Sequence, residues 1–230
     1  MNLRFRSARA RILLTALFLL SPISTGCHQG VDYGATPVSH QDICRLPPEE
    51  MATMDSEDVH RWIVTACDAV PTTSQEKIGG EQLTVYVWQS NGMTGNAYLR
   101  SGQLFRISLQ NLENGPTFGQ VVAGLGSPEM VDRRAEIRER VLDTIALDYP
   151  ALGISVSTSD VGKRSRLLHR DDLAVTLRQD MRVLHVECYA PGSMEDILRD
   201  VFLLPPEYVS YHLERRIPWP GFGSRVSLDY

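Results

Sequence analysis

Three stretches of the chain repeat one pattern. Val59, Trp62, Ile63 and Ala66 fall at i, i+3, i+4 and i+7, and so do Phe118, Val121, Val122 and Leu125, and Met194, Ile197, Leu198 and Val201. That spacing draws one apolar stripe along an α-helix, so each stretch predicts a short helix with its stripe against a sheet. Start signals precede each: Asp55, Ser56 and Asp58, then Thr117, then Ser193. Thr117-Phe118-Gly119-Gln120 fits a capping box, in which hydroxyl and amide each satisfy a free backbone N–H. Pro71, Gly126 with Pro128, and Pro205-Pro206 stop them. Gly126 is expected in the left-handed conformation just past the second helix. Gly124 lies inside that helix, where alanine should stabilise if the position faces solvent.

Between the helices the period changes from 3.6 to 2. Leu83, Val85 and Val87 alternate with Thr84, Tyr86 and Trp88, and Asn96–Arg100 and Leu104–Leu109 follow across turns at Asn91-Gly92 and Ser101-Gly102. Ile145, Leu147 and Tyr149 alternate next, then Ile154 and Val156, then Val175 and Leu177, then Arg182–Tyr189. Val209, Tyr211 and Leu213 read as a strand after the third helix, and Arg225–Leu228 as a short last one. The charged stretch Glu129–Arg140 reads as a helical turn or a loop. The fold class expected is α+β, made of repeated α-β-β-β modules with short helices packed on one face of an antiparallel sheet. The divisions are residues 1–26, 27–50, a first module over 51–113, a second over 114–192, and a partial third with a tail over 193–230. Phe118–Pro128, with its Leu125-Gly126-Ser127-Pro128 turn, resembles the helix and turn of the SmpA/OmlA and β-lactamase-inhibitor-like modules. That resemblance implies roles in binding and assembly.

The first 26 residues differ from the rest. Arg4, Arg6, Arg9 and Arg11 are followed by Ile12–Leu20, nine residues of which only Thr15 is polar, and then by Pro22 and small residues. This is the order of a secretory signal peptide, and nine residues of helix reach only about 14 Å, too short for a bilayer. Ser24-Thr25-Gly26-Cys27 resembles the lipobox of bacterial lipoproteins, which implies cleavage before Cys27 and its acylation. Several acyl chains on one residue hold a soluble domain at a membrane where a single chain would not. Residues 27–50, with Gly30, Gly34, Pro37, Pro47 and Pro48, read as the tether.

Loss of residues 1–26 removes four arginines and no acid, so the net charge goes from −5 to −9. A chain that acidic disfavours nucleic acid. Cys44, Cys67 and Cys188 remain, an odd number for an oxidising compartment. Cys44 and Cys67 enclose 22 residues and are the candidate pair, with no disulfide at all as the alternative; Cys188, in an apolar strand, reads as a buried thiol.

The chain lacks a glycine-rich phosphate loop, Gly-x-Ser-x-Gly, Cys-x-x-Cys and His-Glu-x-x-His. His185 and Glu187 share one strand face while Cys188 points to the other, so the three cannot serve one metal, and the polar pair reads as an exposed sheet face. His60 and Cys67 sit on one side of a helix but about 10 Å apart along it, too far for proton transfer. No catalytic residue, metal site or cofactor is therefore assigned. Lys163, Arg164, Arg166 and Arg170 form a basic cluster, read either as a solvated loop or as a contact with anionic headgroups or an acidic partner. Trp219 and Phe222 in the C-terminal stretch either fold over the sheet or meet a partner. The function expected is that of a non-catalytic, lipid-anchored envelope protein that binds another envelope or secreted component. An extracytoplasmic hydrolase and a secreted-enzyme inhibitor are the alternatives.

Overall fold

The computed structural model describes residues 37–46, 48–112, 115–137, 141–160 and 174–227. Residues 1–26, Cys27, and the cluster Lys163, Arg164, Arg166 and Arg170 lie outside the described residues. The chain runs through α1 (His40–Cys44), α2 (Pro48–Met51) and α3 (Ser56–Ala66) into strands β1 (Thr72–Ile78), β2 (Glu81–Ser90), β3 (Met93–Arg100) and β4 (Gln103–Gln110). Then come α4 (Phe118–Leu125), β5 (Met130–Ile137), β6 (Val141–Tyr149), β7 (Ile154–Asp160), β8 (Ala174–Thr176) and β9 (His185–Tyr189). The C-terminal part holds α5 (Met194–Asp196), continued by a π-helical turn over Ile197–Val201, then α6 (Pro206–Glu214), β10 (Arg216–Pro218) and β11 (Arg225–Ser227).

The fold is mixed α+β. Among the described residues nine strands form one antiparallel sheet in the order β1-β2-β3-β4-β9-β7-β6-β5-β10, and β11 pairs with β8 separately. It contains two meanders, β1-β2-β3-β4 and β5-β6-β7 with β9, which meet edge to edge at β4 and β9. A helix precedes each, α3 for the first and α4 for the second.

The predicted helices form where their caps dictate. Asp55 accepts from the backbone N–H groups of Glu57 and Asp58, and Thr117 and Gln120 make the reciprocal capping box. Of the twelve stripe residues, Val59, Trp62, Ile63, Phe118, Val121, Met194, Ile197 and Leu198 are buried, Val122, Leu125 and Val201 are half-buried, and Ala66 is exposed. Gly126 takes a positive φ, +86°, with its N–H bonded to the Val122 carbonyl, but its ψ of −173° is extended rather than left-handed helical, so the expected left-handed cap is not formed.

Several elements differ from the sequence reading. Val209, Tyr211 and Leu213 belong to a helix, α6. Val209 and Leu213 are four apart, which suits a helical stripe as well as a strand, and Pro206 at the first turn settles the choice. The sequence 193–230 is therefore not an incomplete third copy of helix then strand. Glu129–Arg140 contains β5, whose polar positions hid its period. β1, Thr-Thr-Ser-Gln-Glu-Lys-Ile, went unread because it is a polar edge strand exposed along nearly its whole length. The Gly79-Gly80 turn, both residues at positive φ, is the signal that marks its hairpin.

One face of the sheet carries the main core. Leu99, Ile107, Leu109, Ile145, Leu147, Ile154, Val156, Val186 and Cys188 point there, under α1, α3 and α4. Cys188 does not remain a thiol and Cys44 does not pair with Cys67. Cys44 and Cys188 form the disulfide, 144 residues apart, and Cys67 is the buried free thiol at the end of α3. The physical reason is position: α1 packs on β9, bringing Cys44 over the apolar side of Cys188. Trp219 and Phe222, candidate partner contacts, stack edge to face at 5.1 Å and pack half-buried against this core. A smaller core, Tyr189, Met194, Ile197, Leu198 and Val209, lies on the opposite face under α5 and α6, so the helices do not all pack on one face as expected: the C-terminal segment returns over the side that strand alternation left polar.

Candidate functional site

Alternation along the strands fixes what faces the C-terminal helices. The strands with apolar residues toward the main core turn their polar residues the other way. Register then sets them in rows. One row runs Ser108, Glu187, Ser155, Asp148, Met130 across β4, β9, β7, β6 and β5. The next runs Gln110, His185, Ser157, Ala146, Asp132, Arg216, ending on β10. Met194, Leu198, Phe202 and Leu204 cover them, leaving a cavity of about 310 Å³ with a polar floor and an apolar roof.

The floor is a ladder of ion-paired charges. Arg106 donates through Nε and its guanidinium NH2 to the two Glu187 oxygens at 2.8 and 2.9 Å, and lies 4.7 Å from the Phe202 ring centre above. His185 Nε2 sits 2.9 Å from Glu187 and 3.0 Å from the Ser108 hydroxyl. At the other end Arg216, its side chain 5% exposed, donates to Asp148 at 2.8 Å and reaches Asp132 at 3.2 Å. Arg215 approaches Asp132 at 3.7 Å, and the Ser155 hydroxyl donates to Asp148 at 2.6 Å.

The two acids of the first row are shifted in opposite directions. Burial works to raise the Glu187 carboxyl, but the Arg106 guanidinium and the His185 bond outweigh it and hold the group below its ordinary range. For Asp148 burial wins over Arg216 and Ser155, and the nearby Asp132 charge adds to it, so its carboxyl is raised. Tyr189 is fully buried in the wall, and its hydroxyl has no hydrogen-bond partner. Burial also lifts that hydroxyl well above the usual phenol value.

The structure brings His185 and Glu187 together on one face, as alternation implied. It corrects the reading of that face as exposed: Glu187 is 7% exposed, beneath the helical cover. His60 and Cys67 serve no common site, since His60 stacks edge-on to Tyr86 at the surface and Cys67 is buried. Arg106, Asp132, Asp148, Tyr189, Arg215 and Arg216 were not read as site residues. Polar positions alternating with apolar ones look like a solvated face until a cover is known. The one local hint was Asp148 between Leu147 and Tyr149 in a strongly apolar strand. Among the described residues no group of three His, Cys, Asp or Glu is placed to hold a metal ion, and no helix is long and apolar enough to cross a membrane.

No protein-family model matches this chain, and no curated protein matches it. Among solved structures it is similar to a cysteine-rich secretory protein from Staphylococcus aureus at 8% identity and a TM-score of 0.33. The match covers 71% of this chain and 51% of that one, so the chain spans about half the length of the structure it matches.

Proposed function

We propose that this protein is an exported lipoprotein, anchored through Cys27, whose folded part binds another envelope or secreted component without transforming it. The observation that carries the non-catalytic reading is the ion pairing of the cavity floor. Each of its three carboxylates is held by an arginine: Glu187 by Arg106, Asp148 and Asp132 by Arg216. A general acid or base needs a carboxyl within reach of the proton it moves; the oxygens of Glu187 and Asp148 already accept bonds from fixed donors.

Two further observations support the reading. The Cys44–Cys188 disulfide suits an oxidising compartment and hence export. The paired meanders suit the repeated-module reading: each follows a helix on the same face, and the last strands of both join. Two such units side by side give a broad sheet surface of the kind a binder uses.

The hydrolase reading has one observation in its favour, the opposite shifts of Asp148 and Glu187 in one cavity, a pattern typical of acid–base pairs. Two measurements separate the proposals. Cys27→Ala should stop acyl labelling, release the protein into the soluble extracytoplasmic fraction, and weaken in-cell cross-linking to its partner. Retention at the membrane with residues 1–26 still attached would overturn the anchor. Turnover of any ester, glycoside or phosphate substrate that disappears in both Glu187→Gln and Asp148→Asn would overturn the non-catalytic reading.

A further inference from the structure

We infer that the cavity between the sheet and the C-terminal helices binds a small uncharged amphiphile, its hydrogen-bond acceptor on the Tyr189 hydroxyl and its apolar body beneath Leu198 and Phe202. This deepens the binding reading above and rests on it.

Size comes first. At about 310 Å³ the space is at the lower end of small-molecule sites. Its lining along β9 runs from His185 to Tyr189, four residues or about 13 Å. The His185 side chain is 37% exposed and marks the mouth, whereas Tyr189 is fully buried and closes the far end. Phe202 packs edge to face on Tyr189 at 5.9 Å, so the closed end has an aromatic roof over a phenol.

Charge decides the class. An incoming anion would have to draw Arg106 from its two bonds to Glu187, or Arg216 from its two aspartates. A cation would have to do the same to the carboxylates. A neutral molecule disturbs neither set. The Tyr189 hydroxyl supplies the remaining specificity: it is a buried donor without a partner, a condition that an acceptor in the cavity relieves. The apolar roof provides the rest of the contact. An ester, amide or ether carrying a short hydrocarbon chain meets all of these demands.

The test uses the complete chain carrying Cys27→Ala, which removes acyl chains that would compete, and no detergent. The fluorescent neutral probe phenylnaphthylamine should bind one per chain, and methyl octanoate should displace it. Octanoate, the same skeleton with a negative charge, should need a concentration about tenfold higher or more. Tyr189→Phe should weaken methyl octanoate by roughly three- to tenfold, the value of one hydrogen bond, while leaving phenylnaphthylamine unchanged. Leu198→Trp should fill the space and abolish binding of both; if that variant does not fold, Ser157→Leu fills it from the half-buried floor. Octanoate competing as well as its ester, or no effect of Tyr189→Phe on the ester, overturns the proposed ligand class. Probe binding that survives a folded cavity-filling variant overturns the site. Absence of probe binding overturns the inference, while acyl labelling and cross-linking continue to report on the anchored binder separately.

Discussion

Gly124 and Gly126 lie two residues apart and separate two kinds of constraint. Gly126 has φ +86° and ψ −173°, a region essentially restricted to glycine, and a Cβ there would meet nothing within 4 Å. Its cost on substitution is backbone strain alone, about 1–3 kcal/mol. Gly124 has helical geometry, so helix propensity favours alanine. A Cβ at Gly124, however, would lie 2.0 Å from the Val38 carbonyl oxygen and 2.8 Å from its carbon. The segment before α1 crosses α4 there, with the Val38 N–H on the Gln120 carbonyl at 3.4 Å. Both Gly124→Ala and Gly126→Ala should therefore lower the thermal midpoint, reversing the opposite signs that helix propensity alone implies. Gly124→Ala should lose about 1–3 kcal/mol through overpacking. A stabilised Gly124→Ala in thermal unfolding would mean that Val38 does not sit on α4.

At the scale of elements, the disulfide ties α1 to β9, the strand at the centre of the sheet. It closes a loop of 144 residues, worth about 5 kcal/mol in the chain-entropy account, whereas Cys67 contributes only its packing. Cys44→Ser and Cys188→Ser should lower stability by several kcal/mol each. Cys67→Ala should cost about 1 kcal/mol, as a small side-chain truncation. Thiol labelling of the Cys27→Ala chain in denaturant should find one reactive cysteine before reduction and three after, with the single label on Cys67. A label on Cys188 instead would restore the Cys44–Cys67 pairing. Elements with strong local signals, α3, α4 and β2 to β4, were legible because cap, period and turn agree in each. β1 and β5 were not, since neither has an alternating apolar face: β1 is a bare edge, and β5 carries Asp132, a charge buried by later parts of the chain.

At the scale of the whole molecule, the strands of the two meanders pair at β4 and β9, and the Arg106–Glu187 pair spans that seam on the cavity side. Breaking a buried pair by removing one partner costs roughly 3–5 kcal/mol, since the other charge is stranded. Glu187→Gln should therefore destabilise the fold at neutral pH. The pH dependence follows from the lowered Glu187 carboxyl. Its contribution is complete above the unfolded glutamate pKa, about 4.3, and is lost as pH falls through the lower folded value. Asp148, raised by burial, acts with the opposite sign, so the difference between wild type and Glu187→Gln isolates the Glu187 part. Denaturant unfolding from pH 7 down to pH 3 should show the gap between the two proteins narrowing with acid. A gap that stays constant would mean that the Glu187 carboxyl titrates alike in the folded and unfolded chain.

What the amino-acid sequence determined by itself is everything carried by neighbouring residues: the helix caps at Asp55 and Thr117, the positive φ at Gly126, the hairpin turns at Asn91-Gly92 and Ser101-Gly102, and the pairing of His185 with Glu187 on one strand face. These depend on backbone sterics and on period, which act within a few residues. The tertiary structure decided which polar face is covered, which cysteines meet, and that Arg106, Asp132, Asp148 and Arg216 converge. Those outcomes depend on strand order across long stretches of chain, Arg106 and Glu187 being 81 apart and Arg216 and Asp148 68 apart. The chain also had to return α5 and α6 over a face that, judged from its own alternation, belonged to solvent.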